Sequence, residues 1–247
     1  MNIKSLIPNG LTLGNLTCGI LAIDYTIQGD WETAAGLVIL AAIFDFFDGF
    51  AARLLKVGSP LGGQLDSLAD MVTFGVVPGF FIWKWLEVIN STNVAWLPYI
   101  GLIIPAMSCY RLAKFNIDER QTTSFIGLPT PANALVMLSI PIIGIGTWNN
   151  IGSGADLIND TLFGLCNNTV FISIITVVFS YLLIAELPLF ALKFKTFDWA
   201  ANKVRWIFLI SAIVLIALFA FMAIPIIILL YLLISIINNI LHKQHEV

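Results

Sequence analysis
Residues 45–74 read DFFDGFAARLLKVGSPLGGQLDSLADMVTF, four aspartates and an arginine set into a sequence that is otherwise mostly apolar. At 3.6 residues per turn, Asp45, Asp48, Gly49, Ala52 and Arg53 share one face of a helix, and Gly62, Asp66, Asp70 and Thr73 form one stripe of the next. The short turn from Lys56 to Pro60 joins them. A hairpin of two helices therefore aims four carboxylates into one small volume.

The rest of the chain says what surrounds that volume. It has 247 residues, of which 59% are hydrophobic and only 11% charged, with a mean hydropathy of +0.93. These values belong to an integral membrane protein rather than to a soluble domain. The formal charge of -3 carries no basic excess for a nucleic-acid partner. Cys18, Cys109 and Cys166 are odd in number and widely spaced, which argues against a disulfide framework or a metal site and reads as core filling. The N-terminal run reads as a retained first helix, since Asp24 interrupts it and no small-residue cleavage site follows.

The apolar pattern predicts an all-α, polytopic membrane helical bundle with about eight transmembrane helices, at 9 to 28, 31 to 56, 61 to 87, 93 to 115, 129 to 147, 168 to 191, 204 to 222 and 224 to 241. It predicts one domain over 1–247, with a core at about 1–191 and two extra C-terminal helices at about 204–241. Cytoplasmic loops accumulate Lys and Arg. With both termini cytoplasmic, Lys4, Arg53, Lys56, Arg111, Lys114, Arg120, Lys193, Lys195, Lys203, Arg205 and Lys243 share the cytoplasmic side, and of the 12 basic residues only Lys84 falls near the other. The opposite loop at 148–167 holds Asp156 and Asp160 and no cation. Trp31, Trp83, Trp85, Trp96, Trp199 and Trp206 lie near span ends, as an aromatic belt requires.

In that frame the aspartates sit inside the membrane, toward its cytoplasmic side. An ionised Asp at hydrocarbon depth costs ~2.5–3.5 kcal/mol on insertion scales, and like charges add repulsion. One guanidinium, Arg53, cannot neutralise four carboxylates. Bound divalent cations can, and oxygen ligands without His or Cys favour Mg²⁺ or Mn²⁺. Gly49, Gly62 and Gly63 let a bulky ligand approach the backbone. A cation or proton transporter also uses intramembrane acids, although clustering at one end of the spans rather than at the midplane counts against transport. A non-catalytic lipid-binding bundle is a further alternative.

Residue by residue the segment matches D-x-x-D-G-x-x-A-R-x8-G-x3-D-x3-D through Asp45, Asp48, Gly49, Ala52, Arg53, Gly62, Asp66 and Asp70. That pattern resembles the CDP-alcohol phosphatidyltransferase family. The resemblance implies an enzyme of the cell membrane that displaces CMP from a CDP-linked lipid with an alcohol acceptor, through a two-metal site facing the cytoplasm. It implies that Asp45, Asp48 and Asp66 are metal ligands. Asp70 would join them and act as general base, a role an alcohol nucleophile requires at neutral pH. Gly49, Ala52, Arg53 and Gly62 would hold the CDP-diacylglycerol head group.

Flanking blocks narrow the acceptor. IPNGLTLGNLTCG (7–19), SLADMVTFGVVPG (67–79), CYRLAKFN (109–116) and FIGLPTPANA (125–134) resemble the phosphatidylserine synthases within this family, as does ELPLFALKFK (186–195). The resemblance implies CDP-diacylglycerol plus L-serine giving phosphatidylserine plus CMP, and a homodimer. Glycerol 3-phosphate, an inositol phosphate or choline are the other acceptors that the same acidic site serves. Arg111 and Lys114 are candidates for the serine carboxylate, because Arg clamps carboxylates with two hydrogen bonds; both also suit ordinary cytoplasmic anchoring. Asn9 and Thr12, three residues apart at the head of the first span, suit either nucleotide hydrogen bonding or helix capping. The loop FIGLPTP reads as a stiff lid or a plain turn. Lys193 and Lys195 read as headgroup anchors, and Glu186 as an unpaired acid at the interface.

Overall fold
The computed structural model describes residues 3–92, 94–118, 125–146, 156–189, 198, 202–219 and 222–243. Arg120, Lys193, Lys195 and Trp199 lie outside the described residues. Helix α1 (Leu6–Gln28) ends on Gly29, whose φ of 81° lets its N–H turn back to the Thr26 carbonyl. Asp30 then caps α2 (Trp31–Leu55) by accepting from the Thr33 N–H at 3.1 Å. After the turn at Lys56, Ser59 caps α3 (Pro60–Asp70) through the Gly62 N–H, with Pro60 in the first turn. A π-helical turn, Met71–Val76, carries α3 without a break into α4 (Val77–Ile89).

Small residues hold these first helices together: Ala22, Ala34, Ala35, Val38 and Ala41 are buried between them. In a membrane, where hydrophobic burial between helices drives little, such close backbone approach supplies the packing energy. Among the described residues three helices, Leu6–Gln28, Trp31–Leu55 and Pro60–Ile89, are each long and apolar enough to cross a bilayer.

A 3-10 segment (Leu97–Leu102) leads into α5 (Ile103–Ile117), followed by α6 (Thr130–Gly144), α7 (Asp156–Cys166), α8 (Thr169–Ile184), α9 (Lys203–Phe219) and α10 (Ala223–Lys243). The helix α7 occupies what the sequence reads as a loop. It meets α8 at 78°, and the bent pair qualifies together as a fourth crossing. The expected sixth span to residue 191 stops at Ile184. Beyond it, β2 (Pro188–Leu189) pairs antiparallel with β1 (Phe125–Ile126), in the register Phe125↔Leu189 and Ile126↔Pro188. Gly127 (φ 78°) donates to the Leu187 carbonyl and Leu128 to the Leu182 carbonyl, each at 2.9 Å. The loop FIGLPTP is thus a turn pinned to the end of α8 rather than a free lid.

Two expectations about side chains are corrected. Trp31 and Trp85 do not belong to a headgroup belt: they pack edge-to-face on each other and Trp31 on Phe81, and Trp85 Nε1 donates to the Cys166 carbonyl at 2.7 Å. Cys109 is exposed, so only Cys18 and Cys166 fill the core.

Candidate active site
Three helices build the site. The second halves of α2 and α3 bring Asp45, Asp48 and Asp66 together, each offering a carboxylate oxygen within 4.8 Å of the others. Asp48 is buried, and Asp66 Oδ1 is buried without a hydrogen-bond partner. Three crowded carboxylates with an open oxygen and no nitrogen or sulfur donor form a ligand set for a hard divalent cation. Ionised together the three carboxylates repel one another, and a shared proton or a bound cation relieves that repulsion.

Helix α1 closes the third side. Thr12 Oγ1 lies 2.5 Å from Asp48 Oδ2 and 3.0 Å from the Pro8 carbonyl, so its single proton serves either acceptor. The helix starts at Leu6. Asn9 and Thr12 are therefore interior residues, and capping is not their role. Asp70 stands one turn beyond Asp66, where Asn15 Nδ2 donates to its Oδ1 at 3.1 Å. It remains within electrostatic reach of Asp45, Asp66 and Asp48, but does not share the tight grouping of those three.

A cavity of about 230 Å³ opens beside the acids, lined by Asn9, Thr12, Asp48, Gly49, Ala52, Arg53, Gly62 and Asp66 among others. A second, of about 410 Å³, shares Asn9, Val57, Gly58 and Ser59 with it and extends to Ser5 and Lys56. Gly49 lies beside Arg53, where a Cβ would make ordinary contact with Nη1 at 3.4 Å. Arg53 lines the cavity and lies within Coulombic reach of Asp48.

Arg111 and Lys114 separate. Arg111 is buried, within electrostatic reach of Asp70, and its Nε has no hydrogen-bond partner. Lys114 Nζ instead meets Glu186 Oε1 at 3.3 Å, so Glu186 is not the unpaired acid its sequence suggests. The residue that sequence reasoning missed is Asn15. Its signal was the buried face of α1, where Pro8, Thr12, Asn15 and Gly19 follow one another at helical spacing and two of the four are polar.

A family model described as CDP-alcohol phosphatidyltransferase matches residues 5–241, nearly the whole chain. The chain belongs to the CDP-alcohol phosphatidyltransferase family. Among relatives of this transferase, the CDP-diacylglycerol–serine O-phosphatidyltransferase of Bacillus subtilis (strain 168) is 37% identical over 151 residues, 57% of this chain and 81% of its own length. The protein of the same name from Mycobacterium bovis is 29% identical over 157 residues, 59% of this chain and 54% of that protein. The archaetidylserine synthase of Methanothermobacter thermautotrophicus is 32% identical over 142 residues, 56% of this chain and 58% of that protein. The match thus spans only about half the length of the last two.

Proposed function
We propose that this CDP-alcohol phosphatidyltransferase is a phosphatidylserine synthase, transferring the phosphatidyl group of CDP-diacylglycerol to the hydroxyl of L-serine and releasing CMP. The observation that carries the chemistry is the convergence of Asp45, Asp48 and Asp66 beside a cavity walled by Gly49, Ala52, Arg53 and Gly62. The serine acceptor rests on the names of the relatives.

In this reading Asp45, Asp48 and Asp66, with Asp70 alongside, hold two divalent cations, Mg²⁺ or Mn²⁺. Bound there, such ions would draw charge from the diphosphate and stabilise CMP as leaving group. Asn9, Thr12, Gly49, Ala52, Arg53 and Gly62 take the CDP head group: the guanidinium meets phosphate oxygens, and the glycines let the nucleotide approach the backbone. Asp70, oriented by Asn15, removes the proton from the serine hydroxyl as its oxygen bonds to phosphorus and the bond from phosphorus to the CMP oxygen breaks. Arg111 clamps the serine carboxylate. Lys114, with its ammonium on Glu186, leaves Arg111 as the principal clamp.

We place this site toward the cytoplasmic face of the cell membrane in a multi-pass bundle of eight crossings with both termini inside. The distribution of basic residues supports that topology. A homodimer belongs to the same proposal, on the ground of the family alone; cross-linking in native membranes tests it.

The decisive experiment incubates the purified protein with CDP-diacylglycerol and Mn²⁺ or Mg²⁺, offers serine, glycerol 3-phosphate, inositol phosphate and choline in turn, and follows CMP. Release with serine alone is expected. Release with another alcohol and none with serine refutes the acceptor, and metal-dependent ion flux in liposomes without CMP release refutes the reaction class.

A further inference from the structure
Beyond the cavity beside the acidic trio, two buried polar groups without complete partners, Asn15 and Arg111, face Asp70 or lie within its field, and a third, Ser108, stands one turn from Arg111. Asn15 is fully buried, and its Oδ1 receives no hydrogen bond. Its orientation is fixed by chemistry: a carboxylate facing the amide needs a donor, so Nδ2 points at Asp70 and Oδ1 points away. Arg111 reaches the same carboxylate's field from α5, with Nε unpartnered. Ser108, one turn before Arg111 on that helix, is buried with a free Oγ. It packs on Gly75 of the π-helical turn, where a Cβ would come 3.0 Å from Ser108 Cβ. Such turns mark functional sites in helices because they re-aim the side chains around them.

Buried donors and acceptors are rarely left unmade, so a ligand, an ion or an ordered water completes such groups. Here the open groups differ in sign. Arg111 seeks an anion, whereas an amide oxygen beside a carboxylate seeks a donor, best a cationic one. A small zwitterion with a hydroxyl satisfies both, which a neutral polyol or a sugar phosphate does not. Resting on the serine reading above, we propose that Asn15 determines acceptor specificity by reading the ammonium group. Its Oδ1 accepts a hydrogen bond from the α-ammonium of serine, while its Nδ2 keeps Asp70 aimed at the hydroxyl and Arg111 takes the carboxylate.

The test compares kcat/KM for L-serine with that for 3-hydroxypropanoate, which is serine without its ammonium, and for ethanolamine, which is serine without its carboxylate. The wild-type enzyme should favour serine over 3-hydroxypropanoate by about tenfold or more, the scale of one lost hydrogen bond to a charged group. In Asn15→Ala and Asn15→Ser turnover falls with every acceptor, because Asp70 loses its donor, but the preference over 3-hydroxypropanoate also collapses toward unity. Arg111→Ala instead erodes the preference over ethanolamine. Where turnover is too low to rank acceptors, thermal stabilisation of the variant by each compound, with CMP and Mn²⁺ present, yields the same comparison. A lowered rate with an unchanged preference makes Asn15 only a positioning residue for Asp70 and overturns the proposal. A raised Mn²⁺ requirement with an unchanged preference makes Oδ1 a cation ligand and overturns it as well. CMP release by the wild type with another alcohol and none with serine is a different failure, that of the serine reading itself.

Discussion
Gly19→Ala tests whether the seating of α1 against the Pro60–Ile89 helix governs the reaction rate. A Cβ built on Gly19 lies 2.4 Å from Thr73 Oγ1 and 3.2 Å from Thr73 Cα, whereas ordinary contact begins at 3.4 Å. The hydroxyl is therefore about 1 Å too close. Rotating Thr73 would give up its hydrogen bond to the Asn15 carbonyl at 3.3 Å, yet the contact with the backbone Cα would remain. The two helices must move apart by several tenths of an ångström to about 1 Å. Asn15 sits one turn before Gly19 and Asp70 one turn before Thr73, so the same separation opens the Asn15–Asp70 hydrogen bond from 3.1 Å to about 4 Å. A misplacement of that size at a catalytic group costs up to about 100-fold in rate. CMP release at saturating substrates should thus show kcat down by about 10- to 100-fold, with a smaller rise in KM for CDP-diacylglycerol, because Asn9 and Thr12, which line its cavity, ride on the same helix. Adding Thr73→Ala removes the closest clash and should restore part of the rate. Wild-type turnover in the single variant would show that the fit of α1 does not position the base.

Four further outcomes follow from named contacts. Asp70→Asn should abolish CMP release while leaving CDP-diacylglycerol binding measurable; surviving turnover removes Asp70 as base. Thr12→Val keeps the shape but removes the hydroxyl beside Asp48. It should raise the divalent-cation concentration for half-maximal activity about 10- to 100-fold, as loss of a hydrogen bond to a ligating carboxylate does, and an unchanged requirement severs that link. Mn²⁺ at about 100 times its Kd should stabilise the protein in thermal unfolding by about 2.7 kcal/mol for each ion bound, and Asp48→Asn should abolish the gain. Gly144→Ala, whose Cβ would lie 2.3 Å from Trp85 Cζ2, should cost about 1–3 kcal/mol of stability without altering acceptor preference, because Trp85 stands about four turns beyond Asp70 along the Pro60–Ile89 helix and is tied to Cys166.

How much of this was legible in the chain depends on the range of the contact. Offsets within one helix are fixed by the 3.6-residue repeat, so the faces that carry Asp45 with Asp48 and Asp66 with Asp70 could be read directly, and the Pro60 turn fixed their antiparallel approach. The first three helices were legible as long apolar runs, while the caps at Asp30 and Ser59 that start two of them emerged only from the structure. The helix α7 was not, because Asp156 and Asp160 read as loop residues although Leu162, Phe163 and Leu165 give the segment an apolar face. Nor was the pairing of Lys114 with Glu186, 72 residues apart, or the packing of Trp31 on Trp85, since no local period reports either.

Asn15 marks where local reading stops. An Asn in an apolar run is equally a helix interruption and a buried partner, and only the tertiary fit of α1 distinguishes them. The two acid-bearing helices cannot by themselves shield and orient their carboxylates, because each presents its polar stripe to the other and leaves one side open. A third helix must cover that side with donors, and it must come close. Thr12 and Asn15 supply the donors to Asp48 and Asp70, and Gly19 supplies the closeness. The acidic motif thus specifies what chemistry is available, while the buried stripe of α1 determines which carboxylate is oriented to carry it out.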